Sequence, residues 1–130
     1  VIRATIAVIA GLLVWAVVAT GLDIILRHLL AGYAAAEPQM QFTLTMMFAR
    51  LALPGGIPSI AAGFASAWIS NKNSRVTAAL IVLLLMIFLP THYQLWTKFP
   101  LWYHLTFLGS LILLTWCGAK LYALTMNKAP

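Results

Sequence analysis

Acidic residues are nearly missing from this chain: Asp23 and Glu37 are the only two. Charged residues of both signs make up 8% of the sequence, against about a quarter in a water-soluble domain. With 63% hydrophobic residues, that scarcity excludes an ordinary soluble fold and makes lipid the solvent. Cysteine is scarce as well. Cys117 stands alone, which rules out an intrachain disulfide and any cysteine-based metal site. Lys and Arg are scattered singly, so the net charge of +6 is no nucleic-acid-binding patch. On a membrane chain such cations report orientation and contact with anionic headgroups instead. Catalytic constellations are missing too. No Ser/His/Asp set, no paired carboxylates in one span and no glycine-rich phosphate loop occur, and no cytosolic loop is long enough to carry one. An exporter site built on an embedded acid would need a carboxylate deep in the bundle, and none lies there. A non-enzymatic protein without a cofactor is expected.

What the sequence has is long apolar runs. Membrane spans are expected over about residues 4–27, 43–70, 76–93 and 101–122, forming one integral membrane domain over 1–130. Residues 4–22 carry no charge, and at ~1.5 Å per residue they cover roughly 28 Å, one hydrocarbon core. This first run is too long for a cleaved signal segment and reads as a permanent span. No internal repeat relates the two halves. The fold class is therefore an all-α four-transmembrane-helix bundle. An even number of spans puts both termini on one face. That face receives Arg3, Lys72, Arg75, Lys120 and Lys128, while the other receives Arg27 and Lys98, with Arg50 near it. Cations gather on the cytoplasmic side, which predicts a multi-pass protein of the inner (plasma) membrane with N-in/C-in topology.

Within the second run lies FARLALPGGIPSIAAG, residues 48–63. Arg50 is about 22 residues from Lys72, or ~33 Å of helix, which places it near the outer boundary. Asp23 is about 20 residues from Arg3 and so sits at the same depth on the preceding, antiparallel span. Opposite charges at one depth in lipid predict an Asp23–Arg50 pair, with Arg27, one turn along from Asp23, as the rival partner. The bland alternative is that each simply faces interfacial water. Pro54 and Pro58 remove two backbone donors, and Gly55 and Gly56 ease bending, so a second helix kinked at Pro54–Pro58 is expected. Most such kinks improve packing, and some form ion or substrate sites. Gly55, Ser59, Gly63 and Ala67 recur at four-residue spacing beside Ala62 and Ser66, a small-residue face that lets another backbone approach. Ala16, Thr20, Asp23 and Arg27 on the first span, and Thr106, Gly109, Ser110 and Cys117 on the fourth, are expected to turn inward.

His28, His92 and His104, with Glu37, also fall at or above the outer boundary, in surroundings rich in interfacial aromatics. Their spacing matches no metal motif, and no metal is expected from isolated imidazoles of this kind. Three roles follow. The first is a non-catalytic accessory, assembly or stabilising subunit, packing by its small-residue face on other membrane subunits or on itself. The second is a small oligomeric transporter or channel using the Asp23/Arg50 layer and the broken second helix. The third is a haem-, quinone- or metal-binding membrane protein using the outer histidines. In each case the bilayer is a partner, through anionic headgroups on the cytoplasmic side, and nucleic acid is not.

Overall fold

A computed structural model describes residues 1–127, with side chains through Met126; the Lys128 assigned above to the cationic face lies outside the described residues. Its helices run in the order α1 (Ile2–Leu29), α2 (Tyr33–Ala36), a 3₁₀ turn (Glu37–Gln39), α3 (Leu44–Ala52), α4 (Ile57–Ser70), α5 (Ser74–Gln94) and α6 (Leu101–Asn127). Four segments are long and apolar enough to cross a membrane: α1, α3 with α4, α5 and α6. α1 shows why lipid is the solvent. Ala7, Gly11 and Trp15 are buried on one side while Ile6, Ile9, Leu13 and Val17 are exposed on the other. A helix apolar all round has no water-facing side.

The ends of the helices follow local chemistry. The Thr43 hydroxyl accepts from the Met46 N–H and starts α3. The Asn73 side chain accepts from the Arg75 N–H and starts α5. Asn71, with φ 57°, closes α4 in the left-handed conformation that ends many helices. α6 continues to Asn127, past the predicted end at 122, and Lys120 lies with its ammonium 4.8 Å from the Trp116 ring centroid. The charge thus rides along the helix surface without stopping it.

α4 is the central packing element, lying against both α1 and α6. Ser59, Gly63 and Ala67 are all buried on it, and so is Gly55 just before it. A Cβ on Gly63 would run into the Thr115 carbonyl, and a Cβ on Gly118 would run into the Ile60 carbonyl. Two glycines facing each other's helix let the α4 and α6 backbones touch. On the opposite side, Trp15 of α1 donates its indole N–H to the Ser59 hydroxyl at 3.0 Å, both buried. Around them Ala62, Leu80, Leu84, Phe107 and Leu111 form the mid-bundle core.

The expected inward stripes of α1 and α6 do not turn inward. Ala16, Thr20, Arg27, Thr106 and Cys117 are exposed, and Asp23, Gly109 and Ser110 are only partly covered. α1 buries Ala7, Gly11, Trp15 and Leu26 instead, and α6 buries an aromatic face of Tyr103, His104 and Phe107 above Leu111 and Thr115. In lipid, burying an apolar face brings no hydrophobic gain, so hydrophobicity does not choose the inward side. Aromatic rings facing glycines fill space better, and packing decides.

Candidate functional site

The second span is interrupted where proline removes donors. α3 ends at Ala52 and α4 begins at Ile57. Pro54 has no N–H for the Arg50 carbonyl, which accepts from Gly55 N at 2.9 Å instead. That detour draws Gly55 so close that a Cβ there would stand 2.9 Å from the same carbonyl oxygen and 3.1 Å from the Phe107 ring. The interruption lies directly beneath the charged layer.

Four ions meet in that layer. Arg50 Nη1 stands 3.6 Å from Asp23 Oδ1 and 3.9 Å from Glu37 Oε2. Arg27 reaches Asp23 Oδ2 at 3.1 Å and Glu37 Oε1 at 2.5 Å. Asp23 is therefore shared between its two predicted partners. Between Asp23 and Arg50 stands Tyr33, whose hydroxyl donates to Asp23 Oδ1 at 2.8 Å and accepts from Arg50 Nη1 at 2.7 Å. Burial pushes the Tyr33 phenol well above its usual range, so it stays a neutral donor. The guanidinium of Arg50 also sits 5.1 Å from the centroid of Phe42, which stacks between Tyr33 and Phe99. Tyr33 and Phe42 were not among the predicted site residues. The available signal was a lone tyrosine in the alanine-rich loop AGYAAAEP, where nothing else could anchor the turn.

Glu37 carries a measurable consequence. Burial, then the neighbouring Asp23 carboxyl, push it above the ordinary 4.5 against the pull of Arg27. Between 4.5 and the raised value the folded chain holds more protons than the unfolded chain, so stability declines as pH rises through that window. Unfolding titrations between pH 4 and 6 are expected to show this slope in the native protein and a flatter one in Glu37→Gln. Equal slopes would place Glu37 in open water.

Of the three histidines, the structure brings two together. His92 and His104 are buried with their Nδ1 atoms 2.7 Å apart, while His28 is exposed in the last turn of α1. His104 Nε2 is 3.3 Å from the Trp96 carbonyl, which can only accept. With neutral rings, His104 then carries its proton on Nε2 and accepts at Nδ1, so His92 donates from Nδ1. Trp96 stacks on His104, with ring centroids 4.7 Å apart, and holds the arrangement. Two imidazole nitrogens on a tetrahedral zinc ion stand about 3.3 Å apart, well beyond the 2.7 Å here, so the pair as it stands shares a proton. ¹⁵N spectra of histidine-labelled protein are expected to report an Nε2–H tautomer at His104 and Nδ1–H at His92; the reverse assignment would break the chain to Trp96. Among the described residues, no group of three His, Cys, Asp or Glu side chains is placed to hold a metal ion.

Below the ion layer opens a cavity of about 350 Å³. Asp23, Arg27, Arg50, Pro54 and Gly55 line its polar side, and Trp15, Phe88 and Phe107 its apolar side. Thr20 and Ile24 of α1, both exposed, form its rim. No protein-family model, curated protein or solved structure matches the chain.

Proposed function

We propose that this chain is a small transporter or ligand carrier of the inner (plasma) membrane, with cytoplasmic termini and its second span bent at Pro54–Pro58. It works through the cavity at the helix interruption. One convergence supports this: the paired ions Asp23, Arg27 and Arg50 and the breaker residues Pro54 and Gly55 line the same cavity. Broken helices beside paired charges are where membrane carriers place their sites. The topology is supported by charge partition. Arg3, Lys72, Arg75 and Lys120 lie toward the end of the bundle where α1 starts and α6 ends, and Arg27, Arg50 and Lys98 lie toward the other.

The accessory-subunit role ranks second. Short loops and the missing catalytic groups still speak for it, but its third motive, a small-residue packing face, is used within the chain: Ser59, Gly63 and Ala67 are covered by α1 and α6.

The test is a thermal-shift panel on the chain in nanodiscs, covering anionic, cationic and neutral amphiphiles and small solutes. At least one is expected to raise the melting temperature in the native chain and not in Thr20→Phe, whose ring closes the rim from an exposed position. That ligand then goes into proteoliposome flux assays. If no compound discriminates the two proteins, the cavity has no ligand and the accessory role takes first place.

A further inference from the structure

A smaller cavity, of about 60 Å³, lies at the end of the bundle where α1 starts and α6 ends. It has the room of about two waters, enough for one small ion and too little for an acyl chain. Ser74 and Thr77 of α5, Lys72 just before it, and Trp116 and Lys120 of α6 line it. Thr77 is 2% exposed, yet its hydroxyl makes no hydrogen bond among the described residues. A helical Thr often returns its hydroxyl to the carbonyl four residues earlier. Here that carbonyl, of Asn73, accepts the N–H groups of Val76 and Thr77 instead. Among the described residues, the side-chain oxygen sealed off without a partner is Thr115 Oγ1. The Thr77 hydroxyl is therefore reached from the cavity it lines.

Ser74 opens α5, where N–H groups have no acceptor within the helix. The Asn73 side chain caps the Arg75 N–H, and neither the N–H nor the hydroxyl of Ser74 makes a hydrogen bond among the described residues. The negative end of α4 does not compete for a ligand's place, because the Ala67 carbonyl at the cavity wall already accepts from the Asn71 and Lys72 N–H groups. Charge points the same way. Both acidic side chains of the sequence, Asp23 and Glu37, belong to the ion layer at the other end. Lys120 makes no ion pair among the described residues and rests its ammonium 4.8 Å from the Trp116 ring centroid. Hydroxyls, a helix N-terminal N–H and ammonium groups thus meet where no carboxylate side chain cancels them. Donors converging from two helices with positive charge match a tetrahedral oxyanion, and lysine serves phosphate as a point charge.

We propose that this cavity holds one phosphate group, with its oxygens on the Ser74 N–H and hydroxyl, the Thr77 hydroxyl and the Lys120 ammonium. A soluble phosphate ester and a phospholipid headgroup offer the site the same chemistry. The site stands apart from the carrier cavity, and neither depends on the other.

The experiment is equilibrium dialysis of ³²P-labelled inorganic phosphate against the full chain in maltoside micelles, which carry no phosphate, at constant ionic strength in chloride. Saturable binding is expected. Thr77→Val removes the buried hydroxyl and keeps the outline of the side chain, and it is expected to raise the half-saturating concentration about tenfold, the worth of one hydrogen bond to a charged group. Ser74→Ala and Lys120→Gln, both at exposed positions, are expected to raise it by a similar factor, so the result does not hang on a buried substitution. Competition then assigns the source. Displacement of the label by dihexanoyl phosphatidic acid at a concentration about ten times below that of glycerol phosphate marks a lipid headgroup, and equal displacement marks a soluble phosphate; either supports the site. Absence of saturable binding would overturn the proposal. So would binding that Lys120→Gln weakens while Thr77→Val and Ser74→Ala leave it unchanged, since that is diffuse attraction to surface lysines.

Discussion

Arg50→Ala is expected to lower the unfolding free energy by about 3 kcal/mol, the lower part of the range for removing one partner of a buried ion pair. Asp23 and Arg50 side chains are 18% and 23% exposed, so the charges are partly solvated and the upper part of that range does not apply. The loss has several sources. The Tyr33 hydroxyl loses the donor at 2.7 Å, Phe42 loses its cation, and both carboxylates must share Arg27. Arg50→Lys recovers only part, because a single ammonium cannot reach Tyr33 and two carboxylates with the geometry of a planar fork. Asp23→Asn placed on Arg50→Ala is expected to regain stability relative to Arg50→Ala alone, since the surplus negative charge is gone. Steric-trapping or denaturant unfolding in bicelles measures all four proteins. An Arg50→Ala loss below about 0.5 kcal/mol would mean that water solvates the layer and that these are ordinary surface pairs. The same outcome would weaken the cavity's claim on a ligand, because charges already solvated by water gain little from a polar ligand.

Much of this layer was legible in the sequence because depth in a membrane is a ruler. Residue counts from Arg3 and from Lys72 put Asp23 and Arg50 at one height, and antiparallel neighbours at one height meet. The loop residue that joins them was not legible. Tyr33 reaches Asp23 only because Gly32, at φ 83°, turns the chain back over the end of α1, and a ruler along the helices says nothing about a loop folding inward. The histidines illustrate a related blind spot. His92 and His104 are on different helices, twelve residues apart across a turn, and their convergence depends on how α5 and α6 rotate about their own axes. Rotation was also what the inward stripes of α1 and α6 got wrong. Every side of these helices is apolar, so periodicity carries no phase, and the phase is set by which rings fit against which glycines. Trp15 did carry a signal: an indole in the middle of a span, far from either interface, needs an acceptor, and Ser59 at mid-depth on the facing helix is one.

Those facing glycines carry the other large expected effect. Gly63→Ala is expected to destabilise the bundle by about 3 kcal/mol, the high end of the usual cost of overpacking. The new methyl would overlap the Thr115 carbonyl, and also approach the Ala119 nitrogen at 3.1 Å. Both obstacles are backbone, so no side-chain rotation relieves them, and α4 and α6 must move apart along their whole contact. Gly118→Ala meets the Ile60 carbonyl in the same way from the other helix and is expected to cost a similar amount. Because either change alone already separates the helices, the double variant should lose clearly less than the two single losses added together. Gly21 and Gly109 supply the control. A Cβ at either position meets nothing within 4 Å, so Gly21→Ala and Gly109→Ala should be neutral or gain up to about 1 kcal/mol from helix propensity alone. If Gly63→Ala behaves like Gly109→Ala, α4 and α6 do not touch at Gly63 and Gly118. α4 would then be free to present Gly63 and Ala67 to another chain, and the accessory-subunit role would regain a packing face.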